Sequence, residues 1–172
     1  MRKAKPAKMF IVQGDTRHVL IRFSNIEAPS GDAISEHARI LRTKGQVILG
    51  KFGRRITATI AMLNSQIKAE KSSCLFLVRR DGQQYAVYAA KVSKASHQIS
   101  AEDRDFVPLY YRKSPYVSTW FTISELCEVE NVALDRLLVS SSGFPVASTL
   151  RKSMAGFFFV RNRQELALTV LE

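Results

Sequence analysis

Short apolar runs and two helical repeats alternate along this chain. His18-Val-Leu-Ile-Arg-Phe-Ser-Asn-Ile26 is rich in β-branched residues and predicts a first strand. Pro29-Ser-Gly-Asp32 reads as a turn, and Asp32 or Ser35 can cap the helix that follows by accepting amide hydrogens of its first turn. Ala33, His37, Ile40 and Leu41 recur at helical spacing, and Gly45 ends that run. Residues 46–53 then predict a strand entering a glycine-flanked bend. Residues 56–69 predict a second helix with Ile56, Ile60, Leu63 and Ile67 as its buried stripe. Residues 74–79 and 84–92 predict a hairpin around Arg80-Asp-Gly-Gln83, since Asp-Gly tolerates positive φ.

Residues 97–105 are polar and suit a surface loop or short helix. Val107-Pro-Leu-Tyr-Tyr111 and residues 117–126 are aromatic and β-branched, which suits extended chain. Leu134–Leu138 has the length of one helical turn, Ser140-Ser-Ser-Gly-Phe-Pro145 is a loop, and Gly156-Phe-Phe-Phe-Val160 is a last buried strand. Strand, helix, strand, helix, hairpin and further strands predict an α+β fold, a compact and partly closed β-barrel with flanking helices. Residues 1–17 are assigned to a basic N-terminal arm and lead-in, and residues 18–172 to a single domain.

Composition narrows the class. A hydrophobic content of 46% with 24% charge over 172 residues belongs to a globular protein rather than a disordered one. No apolar run approaches the ~20 residues that span a bilayer. Met1-Arg-Lys-Ala-Lys-Pro6 leads into no long apolar stretch with a cleavage site, so a cytoplasmic location and no membrane partner are expected. Cys74 and Cys127 stand in apolar, strand-like surroundings that suit buried thiols, although two cysteines also allow one disulfide. With His18, His37 and His97 they form no metal-ligand spacing, and no glycine-rich nucleotide-binding pattern is present. Neither a metal nor a cofactor is expected.

Charge then points to a partner. Residues 1–86 hold 16 Lys/Arg against 6 Asp/Glu, a balance of +10, whereas residues 87–172 balance to +1. A focused positive field raises the local concentration of a polyanion, which makes nucleic acid the first partner to consider. Basic surfaces also serve solubility alone.

Several residues could do the binding. Phe52 is flanked by Lys51, Arg54 and Arg55, a stacking platform beside phosphate clamps, and Arg79 and Arg80 at the hairpin end are further phosphate contacts. Alternation places Ser118, Trp120 and Thr122 on one face, where an indole between hydroxyls could stack a base with Tyr116 nearby. Thr119, Phe121 and Ile123 would face the core. Tyr110 and Tyr111 would point to opposite sides of an extended segment, so at most one of them would reach a ligand. Ser140 and Ser141 offer hydroxyls to a base edge or phosphate. Catalysis lacks a reacting set: His37 is alone on its helix, and Glu102, Asp103 and Asp105 in one loop do not define a metal nuclease site.

Gly45-Gln-Val-Ile-Leu-Gly-Lys-Phe-Gly53, the strand pair 74–92, Ser118-Thr-Trp-Phe-Thr-Ile123, and the late 140–145 and 156–160 segments together resemble the PUA superfamily, particularly its EVE- and YTH-like branch, over about residues 18–160. The resemblance implies a small barrel that binds nucleic acid without cutting it, flipping a modified base into an aromatic pocket. It also implies restriction-system relatives, hence modified DNA slightly before methylated RNA, and a nuclease or NTPase as partner protein. The familiar three-tryptophan cage is impossible with Trp120 alone, so a mixed pocket with Phe52 or Tyr116 is expected. Two other readings stay open: an RNA-processing or toxin-like nuclease, and a protein-interaction domain using the aromatic segment 106–121.

Overall fold

The computed structural model describes residues 6–24, 32–71, 73–112 and 114–171. Residues 1–5 of the basic arm and residues 25–31, with the end of the predicted first strand and most of the predicted turn, lie outside the described residues. In chain order the elements begin with β1 (Met9–Val12), β2 (Thr16–Arg22), α1 (Ala33–Lys44), β3 (Val47–Phe52), α2 (Thr57–Lys68), β4 (Cys74–Asp81) and β5 (Gln84–Ser96). A 3-10 turn (Glu102–Phe106), α3 (Leu109–Arg112), β6 (Val117–Val129), α4 (Ala133–Arg136) and β7 (Leu138–Val139) follow. The last elements are α5 (Val146–Lys152), β8 (Phe157–Asn162) and β9 (Leu166–Thr169). No helix among the described residues is long and apolar enough to cross a membrane.

The main sheet has seven strands in the order β3-β6-β5-β4-β2-β8-β7; β2 and β4 run parallel and the other neighbours antiparallel. β1 and β9 form a separate antiparallel pair, so residues 9–17 contribute β1 and the start of β2. The α+β class with flanking helices is as expected, but the partly closed barrel is not. β3 and β7 are sheet edges and no ladder joins them among the described residues. Closure needs a strand able to extend the ladder at each edge. β7 offers only Leu138–Val139, and β3 ends in a bulge between Lys51 and Phe52 followed by Gly53 at φ 91°, which turns the chain away.

The sheet nevertheless curls. Val19 of β2 and Leu49 of β3, four ladder steps apart, belong to one buried cluster with Leu75, Leu77, Phe121 and Ile123, closed by Ile40 of α1 and Ile60 and Leu63 of α2. The opposite face of β2, β4 and β5 packs Leu20, Phe76 and Val87 against Phe10, Leu168, Leu134 and Leu150. β4 is covered on both sides, which is why its sequence reads as an unbroken apolar run rather than an alternating one.

Local signals explain the boundaries. Asp32 caps α1 by accepting from the Ser35 amide at 3.1 Å and hydroxyl at 2.7 Å, and these bonds hold its carboxyl below the usual range. Gly45 closes the helix at φ 78° with its N–H on the Leu41 carbonyl. Cys74 and Cys127 are free thiols, pushed by burial up to about 12 and about 11 respectively, so both stay protonated and unreactive near neutrality.

One buried polar knot ties β2 to β4 and β8. His18 Nδ1 accepts from the Cys74 amide at 3.1 Å, and Nε2 lies 2.7 Å from Thr16 Oγ1 and 2.9 Å from Asn162 Oδ1. Burial lowers its pKa to about 4, and burial lowers that of His37 as well. The unfolded chain protonates these imidazoles near pH 6.5 while the folded chain keeps them neutral, so the unfolded state binds more protons. Stability is therefore expected to fall as pH drops below about 6.5, and for His18 to keep falling until about 4. The slope reaches at most about 1.4 kcal/mol per pH unit for each group. Urea denaturation over that range checks this; a flat profile would contradict the buried neutral imidazoles.

Candidate functional site

A cavity of about 470 Å³ lies between edge strand β3 and the ends of β2 and β8. Its walls are Phe23 just after β2, residues 49–52 of β3, His37 of α1, Tyr110 and Tyr111 of α3, and Phe157 of β8.

The two tyrosines depart from expectation. Residues 109–112 form one helical turn, with the Tyr111 amide donating to the Pro108 carbonyl at 3.1 Å, instead of extended chain. Proline suits the start of a helix because its φ is preset and no N–H is needed there. Tyr110 and Tyr111 therefore do not diverge: their rings lie 4.3 Å apart and both line the cavity. Tyr111 is buried, and desolvation raises its hydroxyl well above the ordinary range, so it remains neutral. Gly50 permits this packing. A Cβ there would meet Val117 Cγ1 at 2.9 Å and the Trp120 and Tyr111 rings at 3.1 Å. Only a residue without a side chain lets those rings rest on the strand.

Phe52 stands at the rim, 38% exposed, with its ring 5.6 Å from that of Tyr111. The Lys51 ammonium lies 5.3 Å over the Phe157 ring and donates to the Phe52 and Arg54 carbonyls at 3.1 and 3.2 Å. Partial burial holds its pKa below the usual lysine range. Ser118 Oγ donates to the Lys51 and Arg54 carbonyls, so this hydroxyl and the ammonium together staple the loop carrying Phe52. Arg54 and Arg55 are exposed in that loop.

His37 is a buried polar feature of the wall. Its Nδ1 is 2.7 Å from the Ala33 carbonyl and donates to it, and burial disfavours the charged ring. Nε2 is thus a bare acceptor, buried and without a hydrogen-bond partner among the described residues. Arg22, also in the wall, donates from Nη2 to the Leu150 and Ser153 carbonyls and so fixes the end of α5 beneath the cavity.

The other expected residues are dispersed. Trp120 is half-buried outside the cavity lining, edge-on to Tyr111 at 6.1 Å, and supports that ring from behind. Its neighbours Thr119, Phe121 and Ile123 are fully buried, the core face read from alternation. Tyr116 is 75% exposed, and its carbonyl accepts from Gly53. Arg79 lies 5.9 Å over the Phe23 ring, and exposed Arg80 donates to the Gly82 carbonyl. Ser140 and Ser141 line a different cavity. Lys94 lies 4.0 Å from Asp103, and no group of three or more His, Cys, Asp or Glu among the described residues is placed to hold a metal.

Sequence reasoning missed Phe23, His37 and Phe157 as one wall. Nothing local announces the wall as a whole: its residues lie just after β2, on α1 and on β8, and meet only because the sheet curls. The period-2 run Phe157, Phe159, Arg161 was a usable signal that β8 carries an aromatic and cationic face. The assembled site can stack a planar ring on aromatic faces and offer cations at its rim, with the buried His37 ring in its wall. A family model described as Pua-like matches residues 19–166, most of the chain. No curated protein matches the sequence.

Proposed function

Since the chain belongs to the Pua-like family, we propose that it is a non-catalytic nucleic-acid reader that draws one base, modified and more readily in DNA than in RNA, into the cavity at β3. The observation that carries this reading is the aromatic-walled cavity of about 470 Å³ with the unpartnered His37 Nε2 in its wall. That volume falls within the ~300–1,000 Å³ of small-molecule sites, and a few convergent polar groups in an apolar wall are what orients such a ligand. A base in a duplex cannot reach such a site without leaving the stack, so extraction of the nucleotide is part of the proposal.

In this reading Phe52, Tyr110 and Tyr111 contact the base and Trp120 buttresses Tyr111. His37 Nε2 accepts from an exocyclic amine or ring N–H. Arg54 and Arg55 meet phosphates beside the rim. Lys51 adds positive potential there while its ammonium holds the loop.

The test is equilibrium binding to matched DNA and RNA, single- and double-stranded, with and without base modifications, at two salt concentrations. Preference for one modified strand that survives the higher salt is the expected result. Backbone contacts alone weaken steeply with salt and ignore the base. Equal binding to every strand that vanishes with salt would therefore remove the base pocket from the account.

A further inference from the structure

A second cavity of about 530 Å³ lies between β8 and α2. We propose that it is a phosphate-binding subsite, in which Arg17, Arg161 and Ser140 hold the backbone of the nucleic-acid strand whose base enters the first cavity. This rests on the base-pocket reading for its ligand but on separate residues for its support.

Three observations carry it. Arg17 of β2 and Arg161 of β8 are direct partners in the antiparallel register, so two like charges face each other on one side of the sheet. Such a pairing destabilises strands unless an anion lies between the charges. Among the described residues the ion pairs are those of Lys8 and Lys91 with Glu125 and of Lys94 with Asp103, so neither arginine has a carboxylate partner.

Second, Arg161 Nε and Ser140 Oγ are buried with no hydrogen-bond partner among the described residues, and both residues line this cavity. Buried donors left unpaired are costly, and two of them on residues that border one space favour an acceptor bound there. The turn presenting Ser140 is fixed. Its amide donates to the Phe159 carbonyl at 2.9 Å, and Gly143, at φ 73°, donates to Val139 at 2.8 Å. Guanidinium forks with a hydroxyl suit the several acceptor oxygens of a phosphodiester.

Third, Phe157 lines both cavities, with the Phe159 ring 5.2 Å further along β8. The two spaces adjoin at Phe157 of β8. A strand with one base in the first would pass over the second.

The test uses the intact protein with Arg17→Gln, Arg161→Gln and Arg161→Lys. A short mixed-sequence single strand is titrated across a salt series, and a free nucleoside bearing the preferred base is titrated in parallel. Each Gln variant is expected to weaken strand binding about tenfold at low salt and to reduce the slope of log K against log salt by about 0.7, leaving nucleoside binding unchanged. Arg161→Lys is expected to restore the slope but not the full affinity, because it keeps the charge and loses the fork. Arg17 is exposed, so its variant reports without a folding complication. Strand affinity and slope unchanged in both Gln variants would overturn the subsite. Nucleoside binding weakened as much as strand binding would overturn it too, since the arginines would then act through the first cavity. Failure of the base-pocket reading has its own signature: no nucleoside binding in the unaltered protein, whatever the arginine variants do to the strand.

Discussion

Tyr111→Ala is expected to lower stability by about 3–5 kcal/mol, the range for truncating a buried aromatic ring. Tyr111 is 6% exposed and touches four other rings, those of His37, Phe52, Tyr110 and Trp120. Its removal leaves a void against Ile48, Val107 and the backbone of Gly50, and strand β3 cannot move inward to fill it while paired with β6. The melting temperature should fall by about 6–20 °C for a chain of this size. Trp120 is the sole tryptophan and lies 6.1 Å from Tyr111, so its fluorescence follows both unfolding and the local change. The Tyr111 hydroxyl hydrogen-bonds to Tyr110 and to the Gly50 backbone, so Tyr111→Phe, which keeps the ring, should lose about 1 kcal/mol. A loss below about 1 kcal/mol for the alanine variant would show that the ring is not packed in a core.

Phe52→Ala should reverse the balance, with a smaller cost to stability and a larger one to binding. The ring is 38% exposed at the rim, so truncation removes less buried area than at Tyr111, which is 6% exposed. Stacking of a base on an aromatic ring is worth about 1–3 kcal/mol, so affinity for the preferred strand should fall by about 5- to 150-fold. The salt slope should not change, because no charge is lost. Titration of the variant at two salt concentrations measures both quantities. Unchanged affinity would remove Phe52 from the ligand contacts. The two aromatic variants thus separate a ring whose main part is to build the site from a rim ring whose main part is to meet the ligand.

Much of the fold is legible in the sequence because its signals are local. Asp32 and Gly45 mark the ends of α1 through hydrogen bonds to residues three or four positions away. Asp81–Gln84 turns the hairpin because Gly82 adopts φ 62° at no steric cost. β1, β7, β9 and α5 are not predicted: they are short and depend on partners such as β9 for β1 and β8 for β7. The 107–111 segment misleads because aromatic residues carry strand propensity, while Pro108 and the packing of Tyr111 on Gly50 decide for a helical turn.

The candidate site divides along the same line. Lys51, Phe52, Arg54 and Arg55 were singled out from adjacency, and the structure places this loop at a cavity mouth. Trp120, read as a stacking ring, lies behind Tyr111, and Ser118 bonds loop carbonyls. Adjacency and alternation tell which face a side chain occupies but not what stands opposite that face.

By itself, then, the sequence determined the α+β class, both main helices, the caps of α1, the hairpin, the core face of β6 and the uneven positive charge. Each depends on backbone preferences or periodicities spanning a few residues. Only the tertiary structure decided that the sheet stays open, that Phe23, His37, Tyr111 and Phe157 share one cavity, and that Arg17 faces Arg161. Those outcomes depend on which distant strand edges pair and how far the sheet curls. That choice is made by the summed packing of residues from about fifty to more than a hundred positions apart, and no local pattern encodes it.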